Sequence, residues 1–147
     1  MGEALGRPTA ETCNCLVLRR ASRVVTQHYD RHLAPVGLTA TQFWLLARLS
    51  YGGAASINEI ARLMMADRTT VGRTLRPLER EGLIEIRVDP ADRRSRLARP
   101  TETGRARVAA GLPHLDAAGR SFEAAFGTER ATALRSLLGA ITPELLG

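Results

Sequence analysis

Only Met65, Ala66 and Asp67 separate two stretches that each carry a helical hydrophobic pattern. A connection that short restricts the pair to a helix-turn-helix. The first stretch opens at Ser56, which with Glu59 makes a capping box, and carries Ile57, Ile60, Ala61 and Leu63. The second runs from Asp67 to Gly82. Val71, Leu75 and Leu78 fall at i, i+4 and i+7, one apolar stripe at helical spacing. Asp67 is placed to cap the first turn, and Gly82 suits a left-handed closing residue. Ala61 and Val71 stand where such a unit needs a small contact residue and a core anchor. Met65 stands where the turn often has glycine.

At 100° per residue, Thr69, Arg73, Arg76 and Arg80 lie opposite the apolar stripe. From Arg68 to Arg76 there are three arginines and no acid. All 21 basic residues of the chain are arginine, and the net charge is +6. Guanidinium groups pair bidentately with phosphates and guanine edges, which favours a nucleic-acid partner. A GC-rich genome gives the same arginine bias, and a lone basic helix is ordinarily a solvated surface. The neighbouring elements therefore carry the inference.

After Gly82 the period switches to two. Leu83, Glu85 and Arg87 alternate with Ile84, Ile86 and Val88 as a strand. Asp89-Pro90-Ala91-Asp92 has turn chemistry. Residues 94–99 return as a second strand ended by Pro100. The hairpin is a wing, with four arginines and no acid from Arg93 to Arg99. Thr101 then caps a long helix, with Glu102 in its first turn. Gly111-Leu112-Pro113 is expected to kink that helix, which resumes through Leu115, Ala118, Phe122 and Phe126. Gly127-Thr128 breaks it. A last helix carries Ala131, Leu134, Leu137, Leu138 and Ile141.

On the other side of the motif, residues 1–11 read as an irregular start containing Gly6 and Pro8. A helix follows from Thr12 to Leu33, with Leu18, Ala21, Val25, Tyr29 and Leu33 as its stripe and Leu16, Val17 and Val24 broadening it. A helix apolar over more than half its girth is buried by several neighbours or by a partner chain. Residues 34–37, Ala-Pro-Val-Gly, end it. Thr39 and Gln42 form another capping box, opening a helix with Phe43, Trp44, Leu46, Ala47 and Leu49 that stops at residues 50–53. Phe43 and Trp44 read first as core.

The fold class expected is mainly α (α+β), a winged helix-turn-helix with dimerisation helices at both ends. The units are residues 1–37 (N-terminal dimerisation helix), 38–100 (winged helix-turn-helix) and 101–147 (C-terminal dimerisation helices). No window spans a bilayer, no signal peptide is evident, and two cysteines two residues apart are no disulfide framework. A cytoplasmic location is expected. No Ser-His-Asp order, glycine-rich phosphate loop or metal cluster stands out, so neither enzymatic activity nor a cofactor is expected. A protein-interaction module with merely solvated arginines is the competitor outside DNA binding.

This order of elements resembles the MarR family of bacterial transcription regulators. LTATQFWLLARL, the block from NEIA to EREGLIE, and DPADRRSRLARPTETG carry the resemblance, which covers residues 13–145. Pro100, where the family usually has leucine, and Pro77 inside the second helix of the motif are departures. The resemblance implies that Thr69, Thr70 and Arg73 reach the major groove of an operator, with Arg76 on base edges or phosphate and Arg68 in a phosphate or structural role. It also implies that Arg94 enters the minor groove from a wing shared with Arg93 and Arg96. Asp92 either orients Arg94 or forms a salt bridge with it without DNA. It implies a homodimer on a pseudo-palindromic operator, its two half-sites about one DNA turn apart. The dimer would be a repressor released by a small aromatic or phenolic effector.

Arg19, His28, His32 and Trp44 are the candidate effector-lining residues. His28 and His32, at i and i+4, are also a candidate metal pair, but only two ligands are visible and packing is the favoured reading. Around Cys15 the chain partly resembles the OhrR-type peroxide sensors, with Cys15 at the reactive cysteine and Tyr29 at a tyrosine that bonds the partner's thiolate. Fourteen residues of helix span about 21 Å, so those two would meet only across a dimer. Ala40 and Arg19 replace two further aromatic positions. Cys13 is a candidate partner in oxidation, and the alternative for Cys15 is a buried small hydrophobe.

Overall fold

The computed structural model describes residues 11–147. The irregular start expected over residues 1–11 lies outside them except for Glu11. Helix α1 spans Asn14–Leu33 and starts two residues later than its pattern suggested; Cys13 at its N-cap makes no side-chain cap bond. A 3-10 turn, Ala34–Val36, ends at Gly37 with φ +70°. Helix α2 spans Ala40–Gly52, and both bonds of its capping box form, at 3.2 Å and 3.0 Å. The Asp30 carboxylate accepts from the Ala40 N–H at 2.7 Å and ties α1 to the start of α2.

Strand β1 is only Ala55–Ser56. Ser56 then caps α3, Ile57–Met64, with the expected bonds to and from Glu59. Helix α4 spans Arg68–Arg80, β2 Ile84–Val88 and β3 Arg96–Pro100. The antiparallel sheet has the order β1-β3-β2, with Ala55 and Ile86 both opposite Ala98. Ile84 is buried, Ile86 partly buried and Val88 exposed, because the hairpin leaves the body toward its tip.

Helix α5, Glu102–Phe126, is anchored at the base of the wing. Thr101 caps it through the Gly104 N–H and donates its own hydroxyl to the Gly82 carbonyl at 2.6 Å. The helix continues through Gly111-Leu112-Pro113, the expected site of a kink, as far as Phe126. Pro113 removes one backbone donor on an exposed surface, while Gly111 is packed beneath the Phe43 ring and holds the helix against α2. Helix α6 is Thr128–Gly139, so Ile141 falls beyond it, and a short α7, Pro143–Leu146, follows.

The core joins Leu33, Leu38, Phe43, Leu45, Leu46, Leu49, Ile60, Val71, Leu75, Leu78, Leu83, Ile84 and Val108. Each of these side chains contributes about 1.5–3 kcal/mol by leaving water. Trp44, expected in that core, is 47% exposed. It stands 100° round the helix from Phe43 and shares the solvent face of α2 with Thr41, Arg48 and Tyr51. No helix among the described residues is long and apolar enough to cross a membrane.

Candidate nucleic-acid interface

The turn between α3 and α4 fixes the pair. The Ala66 N–H bonds to the Ala61 carbonyl at 3.0 Å and the Met65 N–H to the Arg62 carbonyl at 3.2 Å, the two bonds of a Schellman motif. Met65 takes the left-handed position with φ +50°, which glycine would hold with less strain. Asp67 caps α4 by accepting from the Thr70 N–H at 2.7 Å. That bond is the main reason its carboxyl titrates below the ordinary value.

Val71, Leu75 and Leu78 anchor α4, with relative exposures of 0%, 1% and 1%. Their burial turns Arg68, Thr69, Thr70, Arg73, Arg76 and Arg80 outward, all exposed. Pro77 does not interrupt the helix, which continues to Arg80. Thr74 bonds back to the Thr70 carbonyl at 3.1 Å.

The wing tip is shaped by local polar contacts. The Asp89 N–H bonds to the Ser95 carbonyl, and the Ser95 N–H to the Asp92 carbonyl, both at 2.9 Å. The Asp92 carboxylate accepts from the backbone N–H of Arg94 at 3.0 Å. Asp92 thus organises the backbone under Arg94, through that amide rather than through the guanidinium. Arg93 and Arg94 are both exposed.

Between wing and helix-turn-helix lie two adjoining clefts. One, of roughly 250 Å³, is lined by Ile57, Asn58, Arg68, Asp92, Arg94 and Arg96, among others. The other, of roughly 440 Å³, adds Arg76 and Glu79 and shares Arg68 and Arg96 with the first. Five of the nine residues singled out in the sequence therefore meet at these clefts. Thr69, Thr70 and Arg73 stand on the open face of α4, and Arg93 on the wing tip. Asn58 was missed in the sequence. It sits two residues past a helix cap, and no periodicity marks it as facing the wing. Residues 38–100 hold eleven arginines against seven acids, so most of the net charge belongs to this unit. A surface of this sign and shape attracts a polyanion before any specific contact forms.

The remaining candidates do not converge. Arg19 and Trp44 are exposed on different helices, and neither lines a described cavity with the histidines. His28 Nε2 donates to the Ala118 carbonyl at 3.0 Å, and His32 Nδ1 to the His28 carbonyl at 2.9 Å. Each imidazole so commits a nitrogen to backbone. Among the described residues no group of three or more His, Cys, Asp or Glu could hold a metal.

Cys15 is exposed in the first turn of α1 and Cys13 is half-buried; both are free thiols. Exposure in the single chain departs from the reading of Cys15 as a buried small hydrophobe. Tyr29 sits near the far end of α1, its ring in a T-shaped contact with that of His28 at 5.7 Å between centroids. It helps line an apolar groove of roughly 450 Å³ between α1 and α6, together with Leu18, Val25, Phe122, Leu134 and Leu138.

The MarR family model matches residues 38–95. The HTH-type transcriptional regulator MhqR of Bacillus subtilis (strain 168) is 29% identical over 89 residues, which are 60% of this chain and 61% of MhqR. The match thus spans less than two thirds of that relative's length. The transcriptional regulator MosR of M. tuberculosis, solved in complex with DNA, is 33% identical with a TM-score of 0.71, covering 86% of this chain and 96% of MosR. Bordetella bronchiseptica BpsR, whose DNA binding is regulated by 6-hydroxynicotinic acid, is 28% identical with a TM-score of 0.77 over 90% of this chain and 95% of BpsR.

Proposed function

The chain belongs to the MarR family of transcriptional regulators, and from that premise we propose that it is a homodimeric repressor. It binds a pseudo-palindromic operator through α4 and the wing and is released by a small aromatic ligand. The observation that carries this reading is the division of α4. One stripe is fully buried, and the opposite face is threonine and arginine, continuous with an arginine wing. Thr69, Thr70 and Arg73 read base edges in the major groove, where a bidentate guanidinium discriminates by about 1–3 kcal/mol. Arg68, Arg76 and Arg96 hold phosphates at the mouth of the clefts, and Arg93 and Arg94 reach the adjacent minor groove.

Dimerisation is supported by the apolar residues left exposed at both chain ends. Val17, Val24, Leu137 and Leu138 are 42%, 60%, 70% and 41% exposed, beside the α1–α6 groove. A second copy burying these helices sets the spacing of the two recognition helices. A ligand that wedges the dimer helices changes that spacing and releases DNA. A second reading of the signal rests on the exposure of Cys15 two residues after Cys13. Attack of the Cys15 thiolate on hydrogen peroxide breaks the O–O bond and gives a sulfenic acid and hydroxide, and the bulkier, more polar side chain perturbs α1.

Salt titration of binding to duplex DNA tests the DNA reading. Logarithmic affinity should fall steeply with logarithmic salt, with a slope near −0.9 for each neutralised phosphate. Arg96→Ala should flatten the slope by about one unit for its lost phosphate contact, while Arg73→Ala should mainly relax base preference. Binding that ignores salt in the wild type would contradict the reading.

A further inference from the structure

One guanidinium joins three parts of the chain that are far apart in sequence. Arg107 lies about one and a half turns into α5, on the side facing the body, with its side chain 31% exposed. Its Nη1 donates to the Val36 carbonyl at 3.0 Å and lies 3.6 Å from Glu81 Oε2. Val36 closes the 3-10 turn that leaves α1, and Glu81 is the C-cap residue of α4. The neighbouring Gly37 leaves room for the contact, since a Cβ there would stand 3.3 Å from the same nitrogen. Helix α4 packs on α2, α3 and β2. The Arg107–Glu81 pair adds a link from the end of α4 to α5, and the Val36 bond continues it to α1.

Resting on the reading of α4 as the DNA-recognition helix, we infer that Arg107 is a positioning residue. It is a strut that fixes the tilt of α4 against α1 and α5, and it passes movement of those helices on to the recognition surface. Two features give the strut this role rather than a purely stabilising one. The ion pair is half-exposed, so solvent screens it and it adds little to folding. Its geometry nonetheless constrains both ends of the path. The Val36 carbonyl follows α1 directly, and Glu81 follows the last turn of α4. A displacement of the α1 terminus therefore pulls the guanidinium away from Glu81 or carries α4 along with it.

The test uses the full chain with Cys13→Ser and Cys15→Ser. Spin labels go on Arg80→Cys in α4 and Ala109→Cys in α5, both exposed positions, and the labelled chain is diluted into unlabelled chain. With Arg107 present the α4–α5 distance distribution should be narrow. Arg107→Ala should broaden or shift it, Arg107→Lys should restore it in part, and Glu81→Gln should act like Arg107→Ala. On the duplex that the wild type selects from a random pool, Arg107→Ala should weaken binding about fivefold or more, the range of ordinary coupling between sites. Its affinity for non-specific DNA should stay as it was. An unchanged distance distribution in both Arg107→Ala and Glu81→Gln overturns the strut. Should Arg107→Ala fail to fold, Glu81→Gln decides alone. If the wild type binds no DNA, the DNA reading falls, and the distance distributions still judge the strut.

Discussion

Three glycines inside helices make opposite demands, and the same substitution separates them. In an unencumbered helix, glycine to alanine stabilises by about 0.5–1 kcal/mol, because alanine loses less backbone entropy. Gly72 in α4 has no heavy atom within 4 Å of where a Cβ would stand. Gly72→Ala should therefore raise the unfolding midpoint by about 1–4 °C, at roughly 2–4 °C per kcal/mol for a chain this size. Gly104 is different. A Cβ there would overlap the Leu83 carbonyl oxygen and stand 3.3 Å from Leu46 Cδ1. The same carbonyl accepts the Thr101 N–H at 3.0 Å, where α5 joins the wing. Backbone cannot swing aside as a flexible side chain can. Overpacking costs about 1–3 kcal/mol, and straining that hydrogen bond costs about 1 kcal/mol more. Against a propensity gain of about 1 kcal/mol, Gly104→Ala should lose roughly 1–3 kcal/mol net and lower the midpoint by about 2–12 °C. Gly111→Ala, which drives a methyl into the Phe43 ring, should also fall. Thermal unfolding by circular dichroism at one fixed protomer concentration reads all three. A rise in midpoint for Gly104→Ala matching that of Gly72→Ala would refute the close approach of α5 to the wing.

Further outcomes are expected from the same geometry. Sedimentation of the full chain should give about twice the 16.0 kDa monomer mass; a monodisperse monomer at micromolar concentration removes the dimer. The Asp67 carboxyl is held below its ordinary value chiefly by the Thr70 amide, so its contribution is complete above about pH 3.8 and fades as pH falls through the lowered folded value. Asp67→Asn keeps the cap without the titration, so its unfolding midpoint between pH 5 and pH 2 should fall less steeply; identical acid limbs would exclude the cap as a cause. If Cys15 is the switch, peroxide should release the wild type from DNA, dimedone should trap its sulfenic acid, and Cys15→Ser should stay bound. Full peroxide-dependent release in Cys15→Ser assigns the signal elsewhere.

Much of the fold could be read in advance because its signals are local. The pairs Thr39–Gln42 and Ser56–Glu59 and the caps Asp67 and Thr101 each satisfy orphan amides within one turn, so their residue types appear at fixed spacing. The stripe Val71, Leu75, Leu78 names the buried face of α4 for the same reason. What escaped depends on distant partners. Ala55 and Ser56 form a strand only because β3 passes beside them, and two residues show no period. Trp44 is apolar enough for a core, yet the arc of α2 from Leu45 to Phe43 already fills the space, so the indole stays outside. The cleft residue Asn58 and the strut Arg107 have no sequence signal at all, since their partners lie on the wing and 71 residues away. The candidate effector residues scatter for a related reason. Helical spacing places Arg19, His28 and His32 on α1 and Trp44 on α2, but only tertiary packing decides which residues share a cavity.

Selection of bound sequences from a random duplex pool by the full-length protein, at a stated salt concentration, bears most directly on the central claim. The expected result is enrichment of one pseudo-palindrome whose half-sites lie about one DNA turn apart. Arg73→Ala should lose preference at symmetry-related positions in both halves. A pool that emerges unenriched, or preferences that survive Arg73→Ala unchanged, would contradict recognition by the arginine face of α4.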